Sequence, residues 1–149
     1  MATQNRSAPD NLLIARLPKA ARARLLAGCE LVELSFGDIL SQPDQPFPFV
    51  YFPRSGFISM MTTVSGHPPL EMGLIGNEGM LGATLALGVE AAPLLAVAQG
   101  AGSAWRIATP AFQQELAASP PLQAVINRFI YVLLAQLSQS AACTRFHEV

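Results

Sequence analysis

The run GNEGMLGATLALG, from Gly76 to Gly88, sets glycines at 76, 79 and 82, the close spacing used by loops that cradle phosphates. Those loops work because glycine lets several backbone N–H groups converge on one anion, with a helix N-terminus or a cation adding field. The spacing here is GxxGxxG, which is not the dinucleotide fingerprint. No Lys or Arg lies between Arg54 and Arg106. A phosphate buried there without a positive partner would be heavily penalised. The glycines therefore read as turn and close-packing residues.

Metal chemistry needs three or four ligands on one ion. The chain has two histidines, His67 and His147, and two cysteines, Cys29 and Cys143. His67 has no histidine near it in sequence, so the HxH…E…H pattern of a cupin-type metalloenzyme is absent. Cys143 and His147 are four apart on one helical face. Two such pairs could meet in a parallel dimer, but a small buried cysteine and a polar helix end is the simpler reading. One His or Cys suffices for haem, yet neither His67 nor Cys29 has context for it. Glu71, Glu78 and Glu90 are the carboxylates of this region, and no nucleophile–base pair has recognisable flanks. The expectation is a protein without catalysis, metal or cofactor. Trp105 reads as a core anchor and Arg54 as a turn arginine.

The elements that position these residues follow from period and punctuation. Asn11 or Asp10 can cap a helix over Leu12–Ala27, which Pro18 splits in two and Gly28 stops. From Cys29 the period becomes two: CELVELSF, VYF ending at Pro53, GFISMMTTV, LEMGLI, MLGATLAL, LLAVAQ and SAWRI read as short strands. Turn signals about every ten residues, with no helical pattern between, indicate an antiparallel sandwich or jelly roll. Thr109 can cap a short helix with Pro110 at its first position. Pro120-Pro121 opens a long helix whose middle is apolar nearly all round, so it must be covered on two sides. One side suits the sheet. A symmetric copy of the same helix suits the other.

Length and composition fit this layout. The 149 residues make one domain, with a formal net charge of −1 that argues against a nucleic-acid surface spread over the molecule. At 51% apolar and 13% charged, the chain has more apolar surface than a lone soluble domain needs. Met80–Ala98 is the most membrane-like stretch, but Glu90, Pro93 and its glycines interrupt the roughly 20 apolar residues a span requires. No secretory leader pattern is present and the cysteines match no disulfide framework, which points to a reducing cytoplasm.

Short helices, a glycine-turned roll and a long apolar helix resemble the sensor half of the Crp/Fnr family of bacterial regulators. The resemblance is carried by VYFPRSGFIS (Val50–Ser59), GLIGNEGMLG (Gly73–Gly82) and LAQLSQSAACTRFH (Leu134–His147). It implies a mainly β chain with flanking helices: a cyclic-nucleotide-binding-type β-roll (double-stranded β-helix, jelly roll) followed by a C-terminal dimerisation helix. The organisation expected is a disordered N-terminus (1–10), N-terminal helices (11–28), the β-roll (29–108), and a short helix plus the dimerisation helix (109–149). In the family a winged helix-turn-helix follows; no such pattern lies in these residues, so DNA contact would come only through a following domain. In nucleotide-binding members a Gly-Glu pair and a later Arg with Ser or Thr hold the phosphate. Here Gly82 matches, but Ala83 stands at the glutamate position, and Pro93 and Leu94 near the arginine and hydroxyl positions. Oxygen-sensing members hold an iron–sulfur cluster on N-terminal cysteines, and the first twenty-eight residues contain none.

The resemblance thus implies an effector-sensing domain that does not take cyclic AMP in the usual way. Its pocket is expected at Met80, Leu81, Gly82, Ala83, Thr84, Leu94, Leu95, Arg128 and Tyr131, admitting a small apolar or neutral molecule. Its homodimer helix is expected to use Ile126, Phe129, Ile130, Leu133, Leu134 and Leu137. Two alternatives are a stand-alone interaction module acting through a partner and, less consistent with the residues, a cupin-like metalloenzyme.

Overall fold

A computed structural model of the chain describes residues 11–147, with side-chain surroundings for residues 11–139. The segment 1–10, expected to be disordered, and the Cys143 and His147 side chains lie outside the described residues. The chain begins with helices α1 (Leu12–Ala15) and α2 (Lys19–Ala27). Strands β1 (Glu30–Leu34), β2 (Ile39–Ser41), β3 (Phe49–Ser55), β4 (Ile58–Thr62), β5 (Leu70–Ile75), β6 (Leu95–Ala98) and β7 (Gly102–Ala108) follow. Helices α3 (Thr109–Ala118) and α4 (Pro120–His147) close it.

The strands form two antiparallel sheets, β1-β7-β3 and β2-β6-β4-β5. The core lies between them and under the helices, with Ile14, Leu25, Phe52, Ile58, Phe112, Leu122 and Ile126 inside. In β3 the consecutive residues Val50, Tyr51, Phe52 and Pro53 are all buried. An unbroken apolar run of this kind needs cover on both faces. Here α3 sits on β3 and β7, stacking Phe112 at 6.4 Å from Phe52. Pro53 does not end the strand as expected. Since β3 is an edge strand, the missing N–H is tolerated, and the pairing shifts register between Pro53 and Ser55.

Two further expectations are corrected. MLGATLAL is not a strand: only Leu81 pairs, with Tyr51, and Ala83–Leu87 winds into a 3-10 turn between Gly82 and Gly88, both left-handed. A short apolar run does not by itself distinguish strand from helix, and glycine at positive φ marks ends that a strand would not have. Thr109 does not cap α3; Ala108 holds that place, and the Thr109 hydroxyl donates to the Phe47 carbonyl at 2.7 Å instead. Among the described residues no helix is long and apolar enough to cross a membrane.

Candidate functional site

The glycine loop is tied down by its own hydrogen bonds. Gly76 N–H donates to Glu78 Oε1 at 3.2 Å, Gly79 N–H to the Gly76 carbonyl at 3.2 Å, and Leu81 N–H to the Tyr51 carbonyl at 2.9 Å. These are N–H groups that an anion cradle would need free. Gly79 serves close packing: a Cβ there would sit 2.9 Å from the Phe129 ring of α4. Gly82, at φ +108°, turns the chain into the 3-10 segment.

Asn11 ties this loop to α1. Fully buried, its Oδ1 accepts from Leu13 N–H (3.0 Å) and Ile14 N–H (3.2 Å), so it is the helix cap. Its Nδ2 donates to the carbonyls of Pro53 and Gly79, both at 2.9 Å. Leu12 N–H adds a bond to the Asn77 carbonyl at 2.8 Å. All four side-chain bonds an amide favours are made, so α1, β3 and the glycine loop are joined at one point.

The residues expected to line a pocket are distributed rather than gathered. Met80 and Leu81 are fully buried and belong to the core, and Ala83 is nearly so. Thr84 is half-buried, and its hydroxyl has no hydrogen-bond partner among the described residues. The 3-10 turn carrying Ala83 and Thr84 packs on α4. Leu94 and Leu95 are half-buried in the four-stranded sheet region, where Leu94 offers its carbonyl to Ser41 Oγ at 3.0 Å and Leu95 pairs with Met61. Arg128 lines a groove, whereas Tyr131 points outward, 70% exposed.

That groove, of about 480 Å³, is bounded by α1, the end of β5 with the glycine loop, and α4. Leu12, Leu13, Leu74, Val125, Phe129 and Val132 make its walls apolar; Arg16, Arg128 and Glu78 are its charged residues. Its volume lies within the roughly 300–1,000 Å³ typical of small-molecule sites. Arg16 and the contribution of α1 were not expected from the sequence. The available signal is the Leu12-Leu13…Arg16 spacing, which sets two leucines and an arginine on one turn. A second, more open concavity of about 400 Å³ lies along Ile39–Gln42 and Gln45–Pro48.

Helix α4 divides its apolar residues. Ile126 and Phe129 are buried in the protomer's own core, and Ile130 is half-buried. Leu133 is 37% exposed, Leu134 59% and Leu137 53%. On β5, an edge strand, Leu70, Met72 and Leu74 are all exposed, and the pairing with β4 shifts register between Met60 and Met61. Elsewhere, burial pushes the Cys29 thiol up to about 12, and Glu71 accepts from Ser59 Oγ at 2.8 Å. Among the described residues no cluster of three His, Cys, Asp or Glu could hold a metal ion.

No protein-family model matches the chain, and no curated protein matches it. Solved structures do. The c-di-GMP responsive global regulator CLP of Xanthomonas campestris is similar at TM-score 0.72 and 16% identity, over 87% of this chain and 65% of that one. The fold is that of Crp/Fnr-type sensor domains. Catabolite activator protein of Thermus thermophilus shares it at TM-score 0.71 and 15% identity, over 91% of this chain and 64% of that one. The sensor domain of the transcriptional regulator DNR from Pseudomonas aeruginosa does so at 0.64 and 18%, over 99% and 94%. The chain thus spans about two thirds of CLP and of catabolite activator protein, and nearly all of the isolated DNR sensor domain.

Proposed function

We propose that this chain is the regulatory, dimerising sensor domain of a Crp/Fnr-type transcription regulator, working in the cytoplasm without catalysis. The reading is supported above all by one observation. A chain folded like the DNR sensor domain over nearly its whole length carries a helix with leucines at 133, 134 and 137 turned to solvent. Covering them is favourable at about 25 cal/mol per Å² of apolar area. A second copy meeting them across a twofold axis covers both helices at once.

An effector between the roll and α4 shifts the helix pair, and a DNA-reading domain following α4 is re-aimed. The expected pocket residues Met80–Thr84, Leu94, Leu95, Arg128 and Tyr131 remain the proposed route by which the roll and α4 are coupled. Cyclic AMP in the family's usual manner is disfavoured. The glycine loop's N–H groups at 76, 79 and 81 are already used, and Ala83, Pro93 and Leu94 carry no charge to replace the missing partners.

Sedimentation equilibrium tests the dimer. The wild type should be dimeric at micromolar concentration, and Leu134→Glu with Leu137→Glu monomeric at unchanged helical content. A monomeric wild type refutes the twofold helix pair, and a stable complex with an unlike chain in its place would favour the interaction module. Calorimetric titration with cyclic AMP should give no binding at micromolar affinity, and such binding would overturn the second part.

A further inference from the structure

The positive charge missing from the roll is returned to its flank by the helices on either side. Arg16, at the C-cap of α1, and Arg128, on α4, both line the groove of about 480 Å³. Among the described residues, neither guanidinium has an ion-pair or hydrogen-bond partner. The third charged group, Glu78, folds onto its own loop and accepts from Gly76 N–H. The groove therefore presents apolar walls and two uncommitted guanidinium groups. A preference for a neutral ligand rests on the interval Arg54–Arg106, and both arginines lie outside it.

We infer that this groove binds a free, single-chain amphipathic carboxylate. Its hydrocarbon body lies against Leu13, Val125, Phe129 and Val132, and its head group is held by Arg16 and Arg128. Guanidinium forks suit a planar, bidentate acceptor, and apolar walls suit a chain without further polar groups. The walls hold their shape without ligand, because Asn11 ties α1 to the glycine loop and Gly79 seats the Phe129 ring. Residues 1–10 are mostly polar and carry Arg6 and Asp10, whose formal charges cancel, so the segment brings neither a long apolar body nor a net negative charge to the groove. On α4 the groove takes Val125, Arg128, Phe129, Val132, Leu133 and Gln136, so Leu133 sits at its border with the outward face, while Leu134 and Leu137 do not line it. A bound chain thus braces α4 against the roll and leaves Leu134 and Leu137 uncovered. The site stands on the groove alone; its use in signalling rests on the sensor reading proposed above.

The test uses the intact chain and three probes of equal length: octanoate, 1-octanol and octylammonium, by isothermal titration. Octanoate should bind saturably at one site per chain and roughly tenfold more tightly than 1-octanol, the effect of one charge-assisted pair. Arg128→Gln and Arg16→Gln should remove that advantage while leaving 1-octanol binding unchanged. Arg128→Glu should weaken octanoate and favour octylammonium. Both arginines are exposed and have no partner among the described residues, so folding should survive, which circular dichroism verifies. Equal affinity for the three probes, no saturable binding of any, or octanoate affinity indifferent to all three substitutions each overturns the site. A groove filled by residues 1–10 or by a second copy would give the second of these results. Sedimentation on the same samples separates the two ideas: a dimer that ignores octanoate refutes only the site, and a monomer that selects it refutes only the helix pair.

Discussion

Asn11 offers the sharpest test of how this domain is held together. Changing it to alanine removes the cap on Leu13 and Ile14 N–H and both donors to the Pro53 and Gly79 carbonyls. Loss of the cap costs about 1 kcal/mol. Each carbonyl deprived of a partner in a buried setting costs about 1–3 kcal/mol, and the low end applies because a carbonyl has a second lone pair. The sum is about 3 kcal/mol, which for a domain of this size lowers the midpoint of thermal unfolding by roughly 6–12 °C. Urea unfolding followed by circular dichroism measures it directly. Two companions separate the contributions. Asn11→Ser keeps a capping hydroxyl and should recover about 1 kcal/mol. Asn11→Asp keeps the cap acceptor but sets a buried carboxylate against two carbonyls, so it should cost at least as much as alanine. An alanine variant within about 1 kcal/mol of wild type, or an aspartate variant equal to it, would refute the clamp.

Three further outcomes are expected. Gly82→Ala should destabilise more than Gly88→Ala: both have positive φ, but a Cβ at 82 meets Val50 Cγ2 at 3.0 Å while 88 faces open space. The backbone share is about 1–2 kcal/mol in each, and paired urea curves of equal midpoint would count against the packing share at 82. The half-buried Cys29 thiol, raised from 9.0 to about 12, keeps its proton in the folded state after the unfolded chain has lost it. Its stabilising share is therefore whole below pH 9 and lost as pH rises from 9 to 12, by up to about 1.4 kcal/mol per unit. Cys29→Ala, compared with wild type across that window, should show a shallower decline, and parallel curves would refute it. Glu30→Gln, which breaks the exposed ion pair with Arg106, should change stability by less than about 1 kcal/mol in the same assay.

Much of the architecture was legible because it depends on local chemistry. Asn11, Pro18 and Gly28 bound α1 and α2, Pro120 opens α4, and LEMGLI forms β5 over the same six residues. Caps, prolines and period-two alternation act within a few residues, so sequence alone carries them. The errors arose where a distant partner decided the outcome. Thr109 became the first residue of α3 rather than its cap, with its hydroxyl taken by the Phe47 carbonyl across 62 residues of chain. Leu81 found only one partner, Tyr51, and the apolar run after it wound into a 3-10 turn.

The candidate site divides along the same line. By itself the sequence determined that the roll lacks cations between Arg54 and Arg106, that its glycines are not a dinucleotide motif, and that α4 is too apolar to stand alone. Each of those is a property of residue type and short spacing. Only the tertiary structure decided which leucines of α4 the protomer keeps for itself and which it leaves to solvent, because an all-round apolar helix has no preferred face until something packs on it. It alone brought Arg16 and Arg128 to one groove: their helices lie at opposite ends of the chain and meet through the packing of Phe129 on Gly79 and the hold of Asn11 on the glycine loop.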